Sequence, residues 1–341
     1  MWLTHRSDFG SGVALGLLEP EAAGDSYLYR SAIRRLRVSD VDPAPVRVLF
    51  LGQETYFRGA SCEGRSDQWD FRFLALDPSL SAISEWSNRL LLDSFDPHVI
   101  VMFRPERQAS LARELKERAF VVGVLTEPLA LHPWSSDRDL RARRRTYTNA
   151  KELNVDRLIC AVPHYTRALE RLFPVDSTVP LPVHDAIFRN EPLPIPHPST
   201  GIFVGQMTPR RQQFLADLKH RYAWTVVDHG TQWIDPTPFS IGINIHAGNF
   251  ANHEHRIFCH MAHGQVLLDE PFTHHFGLFS GIHRLVFDGR GSLLALVQAI
   301  EADPVPAQRV QIRARHAVER FRSSRVWPRV IMNLLVCDRP R

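Results

Sequence analysis

The sequence predicts an α/β protein of two Rossmann-like, doubly wound domains facing a cleft. From Val46 onward, short apolar runs of strand length alternate with segments of helical period. That alternation is the mark of βαβ units on a parallel sheet. It stops in a stretch holding seven prolines between Pro174 and Pro198, then restarts at Gly201. A chain of 341 residues is also long for one compact α/β domain and comfortable for two, each with its own core.

In the first half the expected strands are 46–51, 71–76, 99–103, 120–125 and 158–162. Helical period marks 81–93, with Ile83, Trp86 and Leu90 on one face, and 106–118. Ahead of these, 25–36 reads as a helix and 42–45 as a proline-punctuated turn. Proline lacks an N–H and fixes φ, so 174–198 is neither a central strand nor a helix. A semi-rigid extended linker is expected there.

In the second half the expected strands are 201–205, 224–227, 241–245, 265–268 and 284–287. Thr208 followed by Pro209 is a helix start, a hydroxyl N-cap ahead of proline at the first helical position. Phe214, Leu215, Leu218 and Tyr222 then form one apolar stripe. Another helix is expected over 254–263, burying Ile257, Phe258, Met261 and Ala262, with Gly264 as its stop. Three more follow at 292–301, 307–321 and 326–336. The expected domains are 1–190, 200–320, and a closing helical segment 321–341.

Composition narrows the class. With 44% hydrophobic and 23% charged residues the chain reads as an ordinary globular protein. No apolar run approaches the roughly 20 residues that a membrane-spanning helix needs. The opening MWLTHRSDFGSG lacks the basic-then-apolar order of a secretory signal. The four cysteines, Cys62, Cys160, Cys259 and Cys337, stand far apart without a C-x-x-C pair. This argues against a disulfide framework and suits a reducing, cytoplasmic setting. The net charge of +4 favours phosphate-bearing partners without demanding a nucleic acid. Arg141, Arg143, Arg144 and Arg145 concentrate that charge, either as a solvated face or as a dock for an anionic acceptor or surface.

The segment GIFVGQMTPRR, from Gly201 to Arg211, is the most informative. A buried strand ends at Gly205, and a helix opens at Pro209 with Arg210 and Arg211 in its first turn. A helix N-terminus attracts phosphate through unpaired N–H groups and its positive dipole end. Two arginines there oppose the dipole unless an anion is close, so Gly205, Arg210 and Arg211 are candidates for holding a diphosphate. The alternative is a tight turn with two surface arginines.

Further on, INIHAGNFANHEHRIFCHMAHGQVLLDE places a buried strand, a polar loop, a short helix, a glycine turn, another strand and Asp269-Glu270 in that order. Asn244, His246, Asn249, Glu254, Arg256, Phe258, Gly264 and Glu270 resemble, in order, the C-terminal domain of group 1 glycosyltransferases of the GT-B fold. The nearer likeness is to the bacterial branch that includes spore-maturation-type proteins. Phe279, Ser280 and Gly281, and residues 288–294, resemble the stretch before that family's closing helices. GQMTPRR resembles the family's turn facing the donor diphosphate. The resemblance spans 201–336; the first half shares only the βαβ pattern and the turn at Leu125, Thr126, Glu127 and Pro128.

The resemblance implies transfer of a sugar from a nucleoside diphosphate such as UDP to an acceptor hydroxyl. It also implies a last helix returning to the first domain. Gly205, Arg210, Arg211, Asn249, Glu254, Arg256 and Glu270 would then hold the donor, which is a substrate; no separate cofactor is expected. Where the family has a glutamate that can pair with the ribose, this chain has Cys259, a poor acceptor. Glu254 or Glu270 would take that part, or the nucleotide is held differently. A sugar-nucleotide epimerase or hydrolase of the same fold, and a non-catalytic protein binding an anionic polymer, are the rival readings.

Histidines crowd this region: His246, His253, His255, His260, His263, His274, His275 and His283. No H-E-x-x-H occurs, and no metal is expected. His246, at a strand end, is the best placed to bond a sugar hydroxyl or phosphate. His260 and His263 read as surface residues. On the acceptor side Gln53, Glu54 and Arg58 follow the first strand, and Glu127 precedes Pro128 after the strand 120–125. Glu127 is either a general base or a cap for the next segment.

Overall fold

The computed structural model describes residues 45–76, 86–126, 145–163, 166–190, 192–227, 238–246, 254–272 and 276–336. Glu127, Asn249, Arg141, Arg143, Arg144, His253, His274, His275, Cys337 and the expected helix at 25–36 lie outside them. Among the described residues the chain forms two compact units. One runs to Leu181 and resumes at Ser324; the other is Pro182–Ser323.

The first unit is built on β1 (Val46–Gly52), β2 (Gly64–Arg65), β3 (Trp69–Ala75), β4 (Val99–Phe103), β5 (Phe120–Leu125), β6 (Arg157–Cys160) and β7 (Ser177–Thr178). Their order is β2-β3-β1-β4-β5-β6-β7, parallel except for the short β2 edge. β4 is buried at all five positions, so it reads as an unbroken apolar run. Helices α1 (Glu54–Phe57), α2 (Trp86–Phe95), α3 (Ala109–Lys116) and α4 (Thr166–Glu170) connect the strands. α2 turns Leu90 outward and buries Leu92 and Phe95, so the apolar face differs from the expected one.

The second unit carries β8 (Gly201–Val204), β9 (Thr225–Val227), β10 (Ile241–Asn244), β11 (Val266–Asp269) and β12 (Leu285–Val286). All are parallel in the order β12-β11-β10-β8-β9. The chain winds outward in both directions from β8, which makes the carboxyl ends of β8 and β10 the topological switch point where such sheets bind ligands. Helices α5 (Pro209–Tyr222), α6 (His255–Ala262), α7 (Arg290–Ala302) and α8 (Val305–Val318) flank the sheet. On α5, Leu215 and Leu218 are buried while Phe214 and Tyr222 are only partly covered.

The proline-rich stretch is not a linker. Val183 donates to the Phe321 carbonyl and accepts from Ser323, both at 2.8 Å, and Arg189 donates to the Ala262 carbonyl at 2.9 Å. Val183, Ile187 and Phe188 are buried with Ile257, Phe258 and Ala314. The residues between the prolines keep their N–H groups and apolar side chains, which suffices to pack the segment into the second unit.

The last helix, α9 (Ser323–Val336), belongs to the first unit. Trp327, Val330, Ile331, Leu334 and Leu335 join the core formed by β1, β4 and β5. Trp327 is 2% exposed, lies 5.1 Å from the Phe50 ring, and donates its indole N–H to the Ala60 carbonyl at 2.7 Å. Among the described residues no helix is long and apolar enough to cross a membrane. Replacement of Trp327 by alanine is expected to cost the first unit about 3–5 kcal/mol, read as a lower denaturant midpoint.

Candidate functional site

The turn after β8 is shaped by Gly205. Its φ of +144° lies where side-chain-bearing residues rarely go, and a Cβ there would meet the Arg256 guanidinium at 2.3 Å. The bare backbone lets Arg256 pass and donate to the Val204 carbonyl at 2.6 Å. Thr208 then caps α5, its hydroxyl accepting from the Arg211 N–H at 3.3 Å, with Pro209 opening the helix.

The two adjacent arginines part company. Arg211 is 3% exposed and donates to the carbonyls of Ile245 at 2.8 Å and Gln206 at 2.7 Å. It is therefore no surface residue: it ties the end of β10 to the turn after β8. Burial brings its proton affinity down to about 10, which leaves it charged at neutral pH. Arg210 keeps a quarter of its side chain in solvent and forms a two-pronged pair with Glu270, with a further bond to the His246 carbonyl at 3.1 Å. Glu270 also accepts from the His246 N–H at 2.6 Å.

Glu254 stands just ahead of α6 as a shared counter-ion. It pairs with Arg256, lies 3.5 Å from Arg211 and 3.7 Å from the Nδ1 of His246. Arg256 is held below its usual proton affinity by burial and then by Arg211. Removing charges from water is costly unless they are paired and hydrogen-bonded, and here the carboxylate and the backbone carbonyls meet that need.

His246 is buried at the tip of the segment after β10. Its Nε2 faces the Pro271 carbonyl at 3.3 Å; a carbonyl only accepts, so this nitrogen carries the hydrogen. Nδ1 is then a lone-pair acceptor with no hydrogen-bond partner among the described residues. Burial lowers the proton affinity of the ring against the pull of Asp269 and Glu270. A neutral histidine facing Glu254 is suited to accept from a hydroxyl.

A second tier, whose pairing with Arg284 the sequence did not show, supports these groups. Asp269 accepts from Asn244 at 2.8 Å and from Arg284 at 2.9 Å, while Arg284 lies 3.9 Å over the Phe272 ring. Burial pushes the Asp269 carboxyl up to about 6 despite Arg284. The sequence signal was an acidic residue closing a wholly apolar strand, but its partner lies 15 residues downstream. His260 is also buried, not superficial: its ring bonds Gln265 at 2.6 Å. Among the described residues no group of His, Cys, Asp and Glu side chains is arranged to hold a metal ion.

In the first unit Glu54 and Arg58 lie on or beside α1 rather than in an open loop. They pair at 2.7 Å, half exposed, and Arg58 also meets Glu63 at 2.9 Å. Arg104, not foreseen, follows β4 in the left-handed region at φ 60°, with its Nε 3.1 Å from the buried Glu106 carboxylate. A left-handed conformation is uncommon for a residue with a side chain, and Asp96, Asn154, Ala223 and Phe276 share it.

No protein-family model matches the sequence, and no curated protein matches it. Solved structures do share its architecture, which is the GT-B fold with Rossmann-like domains. An α-glucosyltransferase solved with UDP-glucose and DNA containing an abasic site superposes with a TM-score of 0.54 at 10% identity, covering 85% of this chain and 99% of that one. Sucrose-phosphate synthase from Thermosynechococcus elongatus gives 0.52 at 12% identity, over 84% and 97%. Anabaena HepE, solved with UDP and glucose, gives 0.51 at 10%, over 85% and 99%. At such identities the likeness establishes the fold.

Replacing Arg211 with methionine keeps much of its bulk and removes its charge and donors. The second unit should lose about 3–5 kcal/mol, as when one partner of a buried pair is removed, seen as a lower melting temperature.

Proposed function

We propose that this chain is a glycosyltransferase that moves a sugar from a nucleoside diphosphate, with UDP the first to test, to an acceptor hydroxyl. The observation that carries this reading is the Arg210–Glu270–His246 group beside the N-terminus of α5, at the carboxyl ends of β8 and β10. The UDP and UDP-glucose complexes of structures with this fold support it. The order of residue types from Asn244 to Glu270, with GQMTPRR before it and 279–281 and 288–294 after it, supports the finer likeness to the spore-maturation branch.

In the proposed reaction the bond from the anomeric carbon to the diphosphate breaks, and negative charge grows on the leaving phosphate. Arg210, the most exposed of the three arginines here, and the first-turn amides of α5 would stabilise that charge. Arg211 and Arg256 would act by holding the turn in place. His246 Nδ1 would accept from a sugar hydroxyl, and Glu254 or Glu270 would serve the ribose. The first unit would bind the acceptor through Glu54 and Arg58, with Glu127 as the base. If configuration is retained, the departing phosphate can take the proton instead. With Arg210 and the first-turn amides of α5 on the diphosphate, no metal would be required.

Cys259 favours a second reading, a nucleotide-binding protein without turnover. Burial pushes its thiol up to about 12, so it stays neutral and cannot replace a carboxylate on the ribose. Sugar release from UDP-sugar without any acceptor would instead mark a hydrolase.

UDP should raise the melting temperature, with about 2.7 kcal/mol of stabilisation at a hundred times its dissociation constant. Arg210→Ala should weaken UDP by about 1.5–3 kcal/mol in a titration, the cost of a lost charged hydrogen bond. No thermal response to any nucleoside diphosphate would remove the donor-site reading.

With a donor and acceptor in hand, Glu127→Gln should slow transfer by roughly 10²–10⁴-fold while leaving UDP binding unchanged. Transfer should also survive EDTA. An unaltered Glu127→Gln rate would return that residue to a capping role.

A further inference from the structure

Helix α8 presents two different sides. Ala307, Val310, Gln311, Ala314 and Val318 are buried in the second unit, whereas Arg309, Ile312, Arg313 and His316 are exposed. Arg309 and Arg313 make no ion pair among the described residues. The nearby carboxylate of Glu319 is already taken by Arg315 and Arg322. Among the described residues, the outer side of the helix thus carries two arginines without an ion-pair partner.

The turn from Phe279 to His283 stands beside this helix: burial and then the charges of Arg320 and Arg313 lower the proton affinity of His283. Leu278, at its base, is buried in one cluster with Ala314, Val318 and Phe321, and Arg320 donates to the Phe276 carbonyl. The turn is closed by its own bonds: His283 N–H to the Phe279 carbonyl at 2.9 Å, Gly281 N–H to the Arg284 carbonyl at 2.8 Å, and Phe279 N–H to the His283 ring at 3.0 Å. The Phe279 ring lies 6.1 Å from the His283 ring, and apolar side chains of the turn remain partly exposed. Phe279 is 45% exposed, Ile282 44% and Ile312 40%, three of the eight large apolar side chains exposed among the described residues.

We propose that this face of the second unit docks on an anionic lipid surface, with Phe279, Ile282 and Ile312 entering the headgroup region and Arg309 and Arg313 pairing with lipid phosphates. Apolar residues set among unpaired cations are what an interfacial surface requires. A nucleic acid would satisfy the arginines but offer nothing to two isoleucines. An apolar peptide segment would leave Arg309 and Arg313 without a counter-charge. The inference is independent of the glycosyl-transfer reading, because it uses none of the donor-site residues.

The test is co-sedimentation of the full chain with vesicles of phosphatidylcholine alone and of phosphatidylcholine mixed with phosphatidylglycerol. The chain should pellet with the mixed vesicles and not with phosphatidylcholine, and added salt should weaken the association. Arg309→Ala with Arg313→Ala should weaken it on the order of 30-fold, about fivefold for each cation near the surface. Ile282→Ser with Ile312→Ser should weaken it as well, and since all four side chains are exposed, both variants should melt with the wild type. Equal association with both vesicle types, or none, overturns the proposal. So does a serine variant that binds like the wild type, which would point to an acidic polymer held by charge alone. Each single substitution, measured in parallel, gives the same reading if a double variant melts early.

Discussion

Guanidinium groups brought out of water at the end of a parallel sheet have to be neutralised and hydrogen-bonded, and in the second unit the Glu254 carboxylate does much of this. It is shared by Arg211 from α5 and Arg256 from α6. Each arginine in turn spends its remaining donors on backbone carbonyls at strand ends: Ile245 and Gln206 for one, Val204 for the other. Three chain segments that meet nowhere in sequence are thereby held in one geometry. A charge pair of this kind contributes less to net stability than to a unique arrangement, because desolvation offsets most of its Coulombic gain.

The backbone accommodates this cluster at the cost of side chains. Gly205 leaves room for the Arg256 guanidinium, and a Cβ on Gly242 would meet the His260 ring at 2.3 Å. The first position serves the site and the second lets α6 lie close on β10. Behind them, Asp269 and Arg284 anchor the chain that carries Glu270. Arg210 is therefore placed by Glu270, Glu270 by the end of β11, and β11 by a buried ion pair. That is how a partly exposed arginine acquires a defined direction.

The first unit relies on a different kind of closure. Its sheet has an apolar layer that α9, the last described helix, completes with Trp327 and its neighbours. The chain must leave the first unit at Pro182 and return at Ser324 for that layer to be covered. Val183 and Phe321 bond near these crossing points, so the outgoing and returning segments run side by side.

Much of the fold was legible in the residues themselves. Buried parallel strands such as Val99–Phe103 and Phe120–Leu125 are apolar runs whose short length and β-branched and aromatic residues favour a strand over a helix. Thr208-Pro209 marks a helix start because capping chemistry is local. The strand–turn–helix around Gly205 and the strand end at His246 were readable for the same reason. What the sequence alone left undecided is pairwise and distant. Arg210 and Arg211 are adjacent and chemically identical, yet helix rotation buries one and leaves the other partly in solvent. The prolines of 174–198 hid a packed segment, since its bonding partners lie at Ala262 and Phe321. Asp269 finds Arg284, and His260 finds Gln265, only once the strands are aligned. Local chemistry specifies elements and their ends; which charges share a carboxylate is decided by tertiary packing, because burial sets the need for a partner.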